Sequence, residues 1–561
     1  MDRRLLLAIG LMLIVIVLPT LIWPPPPRPE PGVTEPGVTE PETTGTPQLV
    51  DSGPSVPVEP PAVVAEVPAP PPEPVGPAPE SYVSVQSQLY DYVFSTRGLR
   101  LVSATLKPYQ SFAVNDSGPA QLIPELSHFF EYALVFGNDT LPLADWDFQP
   151  SDSSLRVTDT AGQLEWVGRR GQATVTIRQT FHPNHYVFDV EGSFTGTAAE
   201  AGLVVVRMGP RFRLIEADSV WDFRNYAVVT KAGSPERTTF GSLDPGEQAS
   251  LAGPFEWVAF KSRYFMLALL TIEEGQPRIG GALAVGGPKP GRHATDADLW
   301  VSLPAPGGRF GYSVYLGPQE YRRLARMGHD LQNVNPYGWI FQPIIRPVAN
   351  FIVLILLWMH ETLELGYGWV LVLFGVLVRL VLWPLNQKAM RSSMAMQAIQ
   401  PEIKAVQERY KQDPQRLQQE MMKLYKEHGV NPLGGCLPML IPMPVLFALF
   451  FVFRETIEFR GVPFLWLPDL SRADPLYIIP VVMGLSMFAV SKLAQMGVPP
   501  NPQAKMMLYF MPIMLTVLFF NFASGLNLYY AVSNIASVPQ QWMIARERLR
   551  KKGKLPRAKP G

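Results

Sequence analysis

Three textures of hydrophobic and polar positions succeed one another along the chain, and each predicts a different element. The first is an unbroken apolar run, Leu5 to Trp23, that carries no charge and follows Arg3 and Arg4. It is longer than the core of a cleaved signal peptide and has no clear small-x-small site before the next prolines, so it predicts a transmembrane anchor over 1–23. The second texture, about Ser81 to Leu316, is short alternating runs separated by turn residues: "ATVTIRQTF", "HYVFDVEGSF", "GLVVVRM", "NYAVVTK", "FMLALLTI" and "FGYSVYLG". Period-2 alternation with no long helical pattern predicts an antiparallel β-sandwich over 81–325.

Beyond Pro336 long apolar stretches take over. "GWIFQPIIRPVANFIVLILLWMHETLELG" mixes Arg346, His360, Glu361 and Glu364 with large apolar residues, and prolines interrupt its first half. It predicts an amphipathic helix lying in the outer membrane interface, within 326–366, and not a span. Five stretches near the roughly 20 residues a bilayer requires follow: Gly368 to Leu385, Leu433 to Phe453, Leu476 to Leu493, Met506 to Phe522 and Ser524 to Ala545. The expected fold class is a multi-domain membrane protein: a polytopic α-helical core of five spans over 367–545, an N-terminal anchor span and a large external β domain.

Composition adds a tether. Residues 24–80 hold 20 of the 58 prolines and nine carboxylates against one basic residue, Arg28. Such a segment has too little apolar content to pack and acts as a disordered, semi-rigid spacer. The single cysteine, Cys436, excludes an intrachain disulfide, and its apolar surroundings favour a buried thiol.

Equal totals of 48 basic and 48 acidic residues conceal an uneven distribution. Residues 387–432 hold eight Lys or Arg against five carboxylates, 492–505 two against none, and 458–475 two against three. The tail, 546–561, holds eight against one. Basic loops stay in the cytoplasm, so both termini are expected there and the sandwich outside, an arrangement that six spans satisfy and five do not.

Four features are candidates for function. Arg379 stands in "VLVLFGVLVRLVLWPL", about 16 Å beyond Gly368 and about 13 Å before Lys388 along a helix. A cation there costs roughly 2.5 to 3.5 kcal/mol on insertion scales, and its stem reaches only about half the distance to the surface, so it points to a wet cavity among the helices. In "SGLNLYYAVSNIASVPQQW", Asn527, Tyr530, Asn534, Ser537 and Gln541 recur at spacings of three and four and share a helix face. Such a stripe packs against other helices or lines a cavity, and with Arg379 it would form two walls of one groove.

The segment 387–431 predicts a cytoplasmic helical hairpin. Met390, Met394, Ile399, Ile403, Val406 and Tyr410 form one stripe, Leu417, Met421 and Leu424 another, with Met422 beside it and "QDPQ" between them. Methionine-rich faces adapt to varied apolar partners, while a hairpin resting on the membrane surface is the plainer reading. The tail bases Arg546, Arg548, Arg550, Lys551, Lys552 and Lys554 suit RNA or anionic lipid, or serve topology alone. His182 and His185 in "TFHPNHYVF" read as a hairpin turn, since no third metal ligand is near.

Taken together, "RLVLWPLNQKAM", "QEMMKLYKEHGVNPLGGCLPMLIPMPVLFALFFVF", "DPLYIIPVVMGLSMF" and "FASGLNLYYAVSNI" resemble the YidC/Oxa family of membrane protein insertases, in the form found in the Gram-negative inner membrane. The resemblance covers about 339–542 in motif and the N-terminal part mainly in layout. It implies a non-enzymatic insertase and chaperone for nascent membrane proteins, acting alone or with the Sec translocon, without cofactor or nucleotide and without DNA. It further implies that Arg379 is the positive centre of a hydrophilic groove open to cytoplasm and lipid, and that Tyr529 and Tyr530 contact groove or substrate. The hairpin would recruit clients, the tail would assist ribosome contact, and the external domain would be a β-supersandwich resembling sugar-binding folds. The chain departs from the family pattern in Leu433 to Phe453, which has no polar groove residue beyond Cys436. A secondary transporter or channel is the main rival, though no repeat and one clear intramembrane charge argue against it. An anchored carbohydrate enzyme would leave the five core spans unexplained.

Overall fold

A computed structural model of the protein describes residues 79–554, apart from 115, 126, 197–200, 273–277, 290–295, 336, 338–340, 430–442 and 497–501. The expected anchor, nearly all of the tether and Cys436 lie outside the described residues.

The alternating runs form strands where their period predicts. "ATVTIRQTF" is one strand, Ala173–Phe181, whose buried positions Val175, Ile177, Gln179 and Phe181 alternate with less buried ones. Among the described residues the strands assemble into three sheets. The nine-stranded sheet runs Pro235–Thr239, Ala227–Lys231, Trp257–Lys261, Phe265–Leu270, Arg309–Pro318, Val187–Thr195, Ala173–Phe181, Gly162–Arg170, Phe148–Pro150. A six-stranded sheet is centred on Ala297–Pro306 and Ala201–Met208, and a five-stranded sheet contains Tyr82–Gln86, Tyr90–Ser95 and Leu101–Gln110. One parallel pair, Tyr82–Gln86 with Ser154–Arg156, departs from the all-antiparallel expectation.

Trp257–Lys261 and Phe265–Leu270 are buried at every position, so they are covered on both faces and lose their alternation. One cover is the segment after the sandwich. Trp257 Nε1 donates to the His329 carbonyl at 2.8 Å, Lys231 Nζ to Asp330 Oδ2 at 3.0 Å, and Lys261 Nζ to Asn335 Oδ1. His182 and His185 lie in a hairpin turn, and His182 Nε2 meets Asp189 Oδ2 at 2.7 Å.

The helices are α1 (Ser219–Asn225) and α2 (Tyr321–Met327) beside the strands, then α3 (Gln342–Leu363), α4 (Tyr367–Val381), α5 (Trp383–Ala398), α6 (Gln400–Arg409), α7 (Pro414–Glu427), α8 (Met443–Glu455), α9 (Ile478–Gln495), α10 (Pro502–Phe519) and α11 (Ser524–Lys554). The alternation pattern had left no place for α1. Its Asp218 caps the first turn, with Oδ1 accepting the Trp221 N–H at 3.1 Å.

By length and apolar composition α3 and α9 are each long enough to cross a membrane, as is α4 joined to the start of α5. The prolines expected to interrupt α3 do not: Pro343 falls in its first turn and the helix continues through Pro347. Between α4 and α5 the axis bends by 49°. Pro384, which lacks an N–H and crowds the carbonyl four residues back, accounts for the bend. The helical core is separate from that of the sandwich and gathers Ala349, Ile352 and Leu356 of α3, Leu371 and Phe374 of α4, Leu449 and Phe453 of α8, and Leu526 and Tyr529 of α11.

Candidate functional site

Arg379 stands in the last turn of α4, four residues after Gly375 and therefore on the same face. That face meets α11 closely. A Cβ added at Gly375 would lie 3.2 Å from Val532 Cγ1 and 3.4 Å from the Tyr529 carbonyl oxygen, so glycine sets the approach of the two helices. The adjacent Phe374 ring lies 5.8 Å from that of Tyr529. Arg379 is half-buried, and its Nε is buried without a hydrogen-bond partner. At the bend, Gln540 Nε2 donates to the Trp383 carbonyl at 2.9 Å, while the nearby Asn386 is buried with an unpaired Nδ2.

The polar stripe occupies another face of α11. Asn527 Nδ2 donates to the Phe519 carbonyl of α10 at 3.0 Å, and Asn534 Nδ2 donates to Ser486 Oγ of α9 at 3.3 Å. The Ser537 hydroxyl returns to the Asn534 carbonyl at 2.6 Å, and Tyr530 packs on Phe519 with ring centroids 5.9 Å apart. Gln541 is buried with Oε1 unpaired. At about 100° per residue this stripe lies roughly a quarter to a third of a turn from the face carrying Tyr529, Val532, Ser533 and Gln540. The structure therefore turns the Tyr529 face of α11 to α4, the helix that carries Arg379, whereas Asn527 and Asn534 take part in helix packing. Gln540 completed no stripe with the selected residues, and only the docking of α5 marks it out.

The segment expected to form a hairpin folds as helices α6 and α7 packed together, joined at Tyr410 to Asp413 where the sequence breaks its pattern. Asp413 Oδ1 caps α7 through the Arg416 N–H at 3.1 Å, and His428 Nε2 meets Glu402 Oε2 at 3.4 Å across the pair. Ile399 and Leu424 are buried, Ile403, Met390 and Met421 are half-buried, and Met422 is exposed. The Met394 side chain lies outside the described residues.

The basic tail continues α11 without a break, as far as Lys554. Arg548 Nη1 donates to the Ala494 and Met496 carbonyls at the end of α9, where orphan carbonyls favour a cation. Arg546 lies over the Trp542 ring at 5.3 Å and, like Arg550, is exposed. The side chains of Lys551, Lys552 and Lys554 lie outside the described residues. No group of three His, Cys, Asp or Glu converges as a metal site among the described residues.

Comparison with known proteins gives the lineage. The family described as 60Kd inner membrane protein matches residues 358–552, and the YidC periplasmic domain matches 82–351. The membrane protein insertase YidC of Syntrophus aciditrophicus is 30% identical over 491 residues, covering 83% of this chain and 85% of the relative. This chain belongs to the YidC family. The YidC of Cupriavidus taiwanensis is 34% identical over 415 residues, covering 70% and 69%. A crystal structure of an active YidC insertase is 18% identical with a TM-score of 0.34, covering 83% of this chain and 95% of that one. A galactose mutarotase-like protein from Lactobacillus casei is 13% identical with a TM-score of 0.27, covering 42% and 100%.

In this YidC-family chain the sandwich is bolted to the outer ends of the helices through buried ions that carried no signal in the sequence. Arg263 Nε donates to the Arg454 carbonyl at 2.7 Å, and Arg237 Nη1 lies 3.9 Å from Glu455 Oε1. Tyr321 donates its N–H to Glu458 Oε1 at 2.9 Å. Each partner lies more than a hundred residues away in the chain. The loop between α8 and α9 is thus on the sandwich side of the helices.

Proposed function

We propose that the protein inserts nascent membrane proteins into the bacterial inner membrane by offering their polar segments a route past Arg379. The observation that carries this reading is the buried, unpartnered Nε of Arg379 on the face of α4 that docks against Tyr529 and Val532 of α11. A guanidinium with an unpaired buried Nε must find acceptors, and water or the polar tail of a client supplies them. Asn386 and Gln540, with Nδ2 and Oε1 unpaired, extend the same polar surface towards the α4 and α5 bend.

A client's polar tail, often acidic, exchanges bulk water for this surface and crosses a thinner apolar layer. Its apolar segment moves into lipid along the exposed faces of the helices, where Leu377, Leu380 and Val381 stand outward. Burial of that segment drives the step, so neither nucleotide nor covalent chemistry is required. The α6 and α7 hairpin receives clients on Met390, Met394, Ile399, Ile403, Met421 and Met422. Arg546, Arg550, Lys551, Lys552 and Lys554 supply charge for a ribosome or lipid surface, and the protein works alone or beside the Sec translocon.

In this orientation the sandwich is periplasmic and both termini are cytoplasmic. Helix α3 lies along the outer interface. Arg346 and Asn350 near its start reach Asn333 Oδ1 at 3.2 and 3.4 Å, and Glu361 near its end meets Arg322 at 2.6 Å. Residues 346 and 361 are about 22 Å apart along a helix, yet both attach to the segment following the sandwich. A spanning helix would carry its two ends to opposite sides.

The test is insertion of a small client with an acidic external tail into liposomes holding the full-length protein. Arg379→Ala should abolish insertion and Arg379→Lys should retain it. Normal insertion by both would end the groove mechanism, and a protein that moves a small solute but inserts nothing would be a transporter.

A further inference from the structure

Between the sandwich and the outer ends of α8, α10 and α11 lies a cavity of about 460 Å³. Three guanidinium groups line it, those of Arg263, Arg454 and Arg472, and Asp218 is the one carboxylate in its lining. Asp218 is already engaged in capping α1. Arg454 lies 4.3 Å from the Trp221 ring and 5.8 Å from the Phe450 ring, and its Nε is buried without a hydrogen-bond partner. Arg224 lies over the same Trp221 at 4.7 Å. Among the neighbouring acids, Glu455 is turned to Arg237 and Asp222 accepts the Arg263 backbone N–H at 3.1 Å.

The three lining arginines repel one another. Arg263 is held by the Arg454 and Ser471 carbonyls and Glu455 partly offsets Arg454 from behind the wall, but Arg472 and the unpaired Nε of Arg454 share a lining whose carboxylate is Asp218. Charge of this kind, partly desolvated, calls for an anion with several acceptor oxygens, which guanidinium forks bind well. The opposite wall is apolar, formed by Phe450, Phe522 and Leu526 at the ends of membrane helices. A ligand that suits both walls has a phosphate joined to hydrocarbon.

We propose that this cavity binds the phosphodiester headgroup of an anionic phospholipid from the outer leaflet, with its acyl chains running past Phe450 and Phe522. The lipid neutralises the arginine cluster and joins the sandwich to the helical core. The binding is independent of the route past Arg379.

The experiment uses full-length protein in detergent, titrated with short-chain phosphatidylglycerol, short-chain phosphatidylcholine and inorganic phosphate, with bound ligand read by native mass spectrometry. Brominated phosphatidylglycerol supplies a second readout through quenching of Trp221, taken as the difference between wild type and Trp221→Phe. Phosphatidylglycerol should bind saturably and at least tenfold more tightly than either alternative. Arg454→Gln should weaken it about tenfold. Arg472→Gln, at an exposed position whose loss does not threaten folding, should weaken it severalfold. Equal phosphatidylglycerol binding by wild type and Arg472→Gln would overturn the site. Inorganic phosphate binding as tightly as the lipid would overturn the lipid source, leaving a free-anion site.

Discussion

Arg460 Nε donates to Glu216 Oε1 at 2.8 Å, joining the loop after α8 to the sandwich across 244 positions of sequence. The two side chains are 3% and 8% exposed. The same guanidinium donates through Nη2 to the Gln110 carbonyl at 2.8 Å and lies 4.4 Å from the Phe112 ring.

Removal of Arg460 leaves Glu216 buried without its partner, a loss of at most about 3 to 5 kcal/mol, because burial already pushes this carboxyl up to about 7 and it can take up a proton. Arg460→Ala should therefore lower the thermal unfolding midpoint and open the junction of sandwich and helices to limited proteolysis. Arg460→Lys should recover only part of this, because an ammonium cannot serve Glu216 and Gln110 with one planar fork. An unchanged midpoint in Arg460→Ala would show that the junction does not depend on this pair.

The junction should also respond to pH. Burial pushes Glu458 up to about 7, against the weaker opposing pull of backbone N–H groups including that of Tyr321. The folded protein then holds this proton between the unfolded value near 4.5 and about 7. Its contribution is complete below about pH 4.5 and is lost as the pH rises through 7, with an upper limit of about 3 kcal/mol. Glu458→Gln should flatten the fall in unfolding midpoint across that window. An identical slope in the variant would assign it to other groups.

Gly375 should be intolerant of bulk. Alanine there meets Val532 and the Tyr529 carbonyl at the edge of contact, while leucine overpacks the helix pair at a cost of about 1 to 3 kcal/mol. Gly375→Leu should reduce client insertion by forcing α4 and α11 apart and displacing Arg379, and Gly375→Ala should stay near wild type. Insertion assays at equal protein level distinguish the two.

The tail bases should divide by position. Arg548→Ala removes charged hydrogen bonds to the end of α9 and should destabilise by about 1.5 to 3 kcal/mol. Arg550→Ala, exposed, should leave the unfolding midpoint unchanged and weaken only binding to ribosomes or anionic vesicles. Equal stability losses in both would refute this division.

Much of the architecture is legible in local pattern. Period-2 alternation placed the strands, as in Ala173–Phe181, because one face of each is buried. Long apolar stretches marked the helical core, and Asp413 with Pro414 broke the hairpin where α7 begins. The pattern misled where two elements meet. Pro347 did not end α3, whose apolar face packs on its neighbours, and the helix α1 was hidden among strands.

The sequence by itself determined which segments are strands, which are apolar helices, and that Arg379 is a cation in apolar surroundings. These follow from spacing and hydrophobicity within a few residues. Only the tertiary structure decided which face of α11 lies against the helix that carries it. The polar stripe and the Tyr529 face lie side by side on α11, and the close approach at Gly375 selected Tyr529 for α4. It also decided the pairing of Arg460 with Glu216 and the arginine cluster about Trp221, because such contacts join residues hundreds apart whose proximity has no local signature.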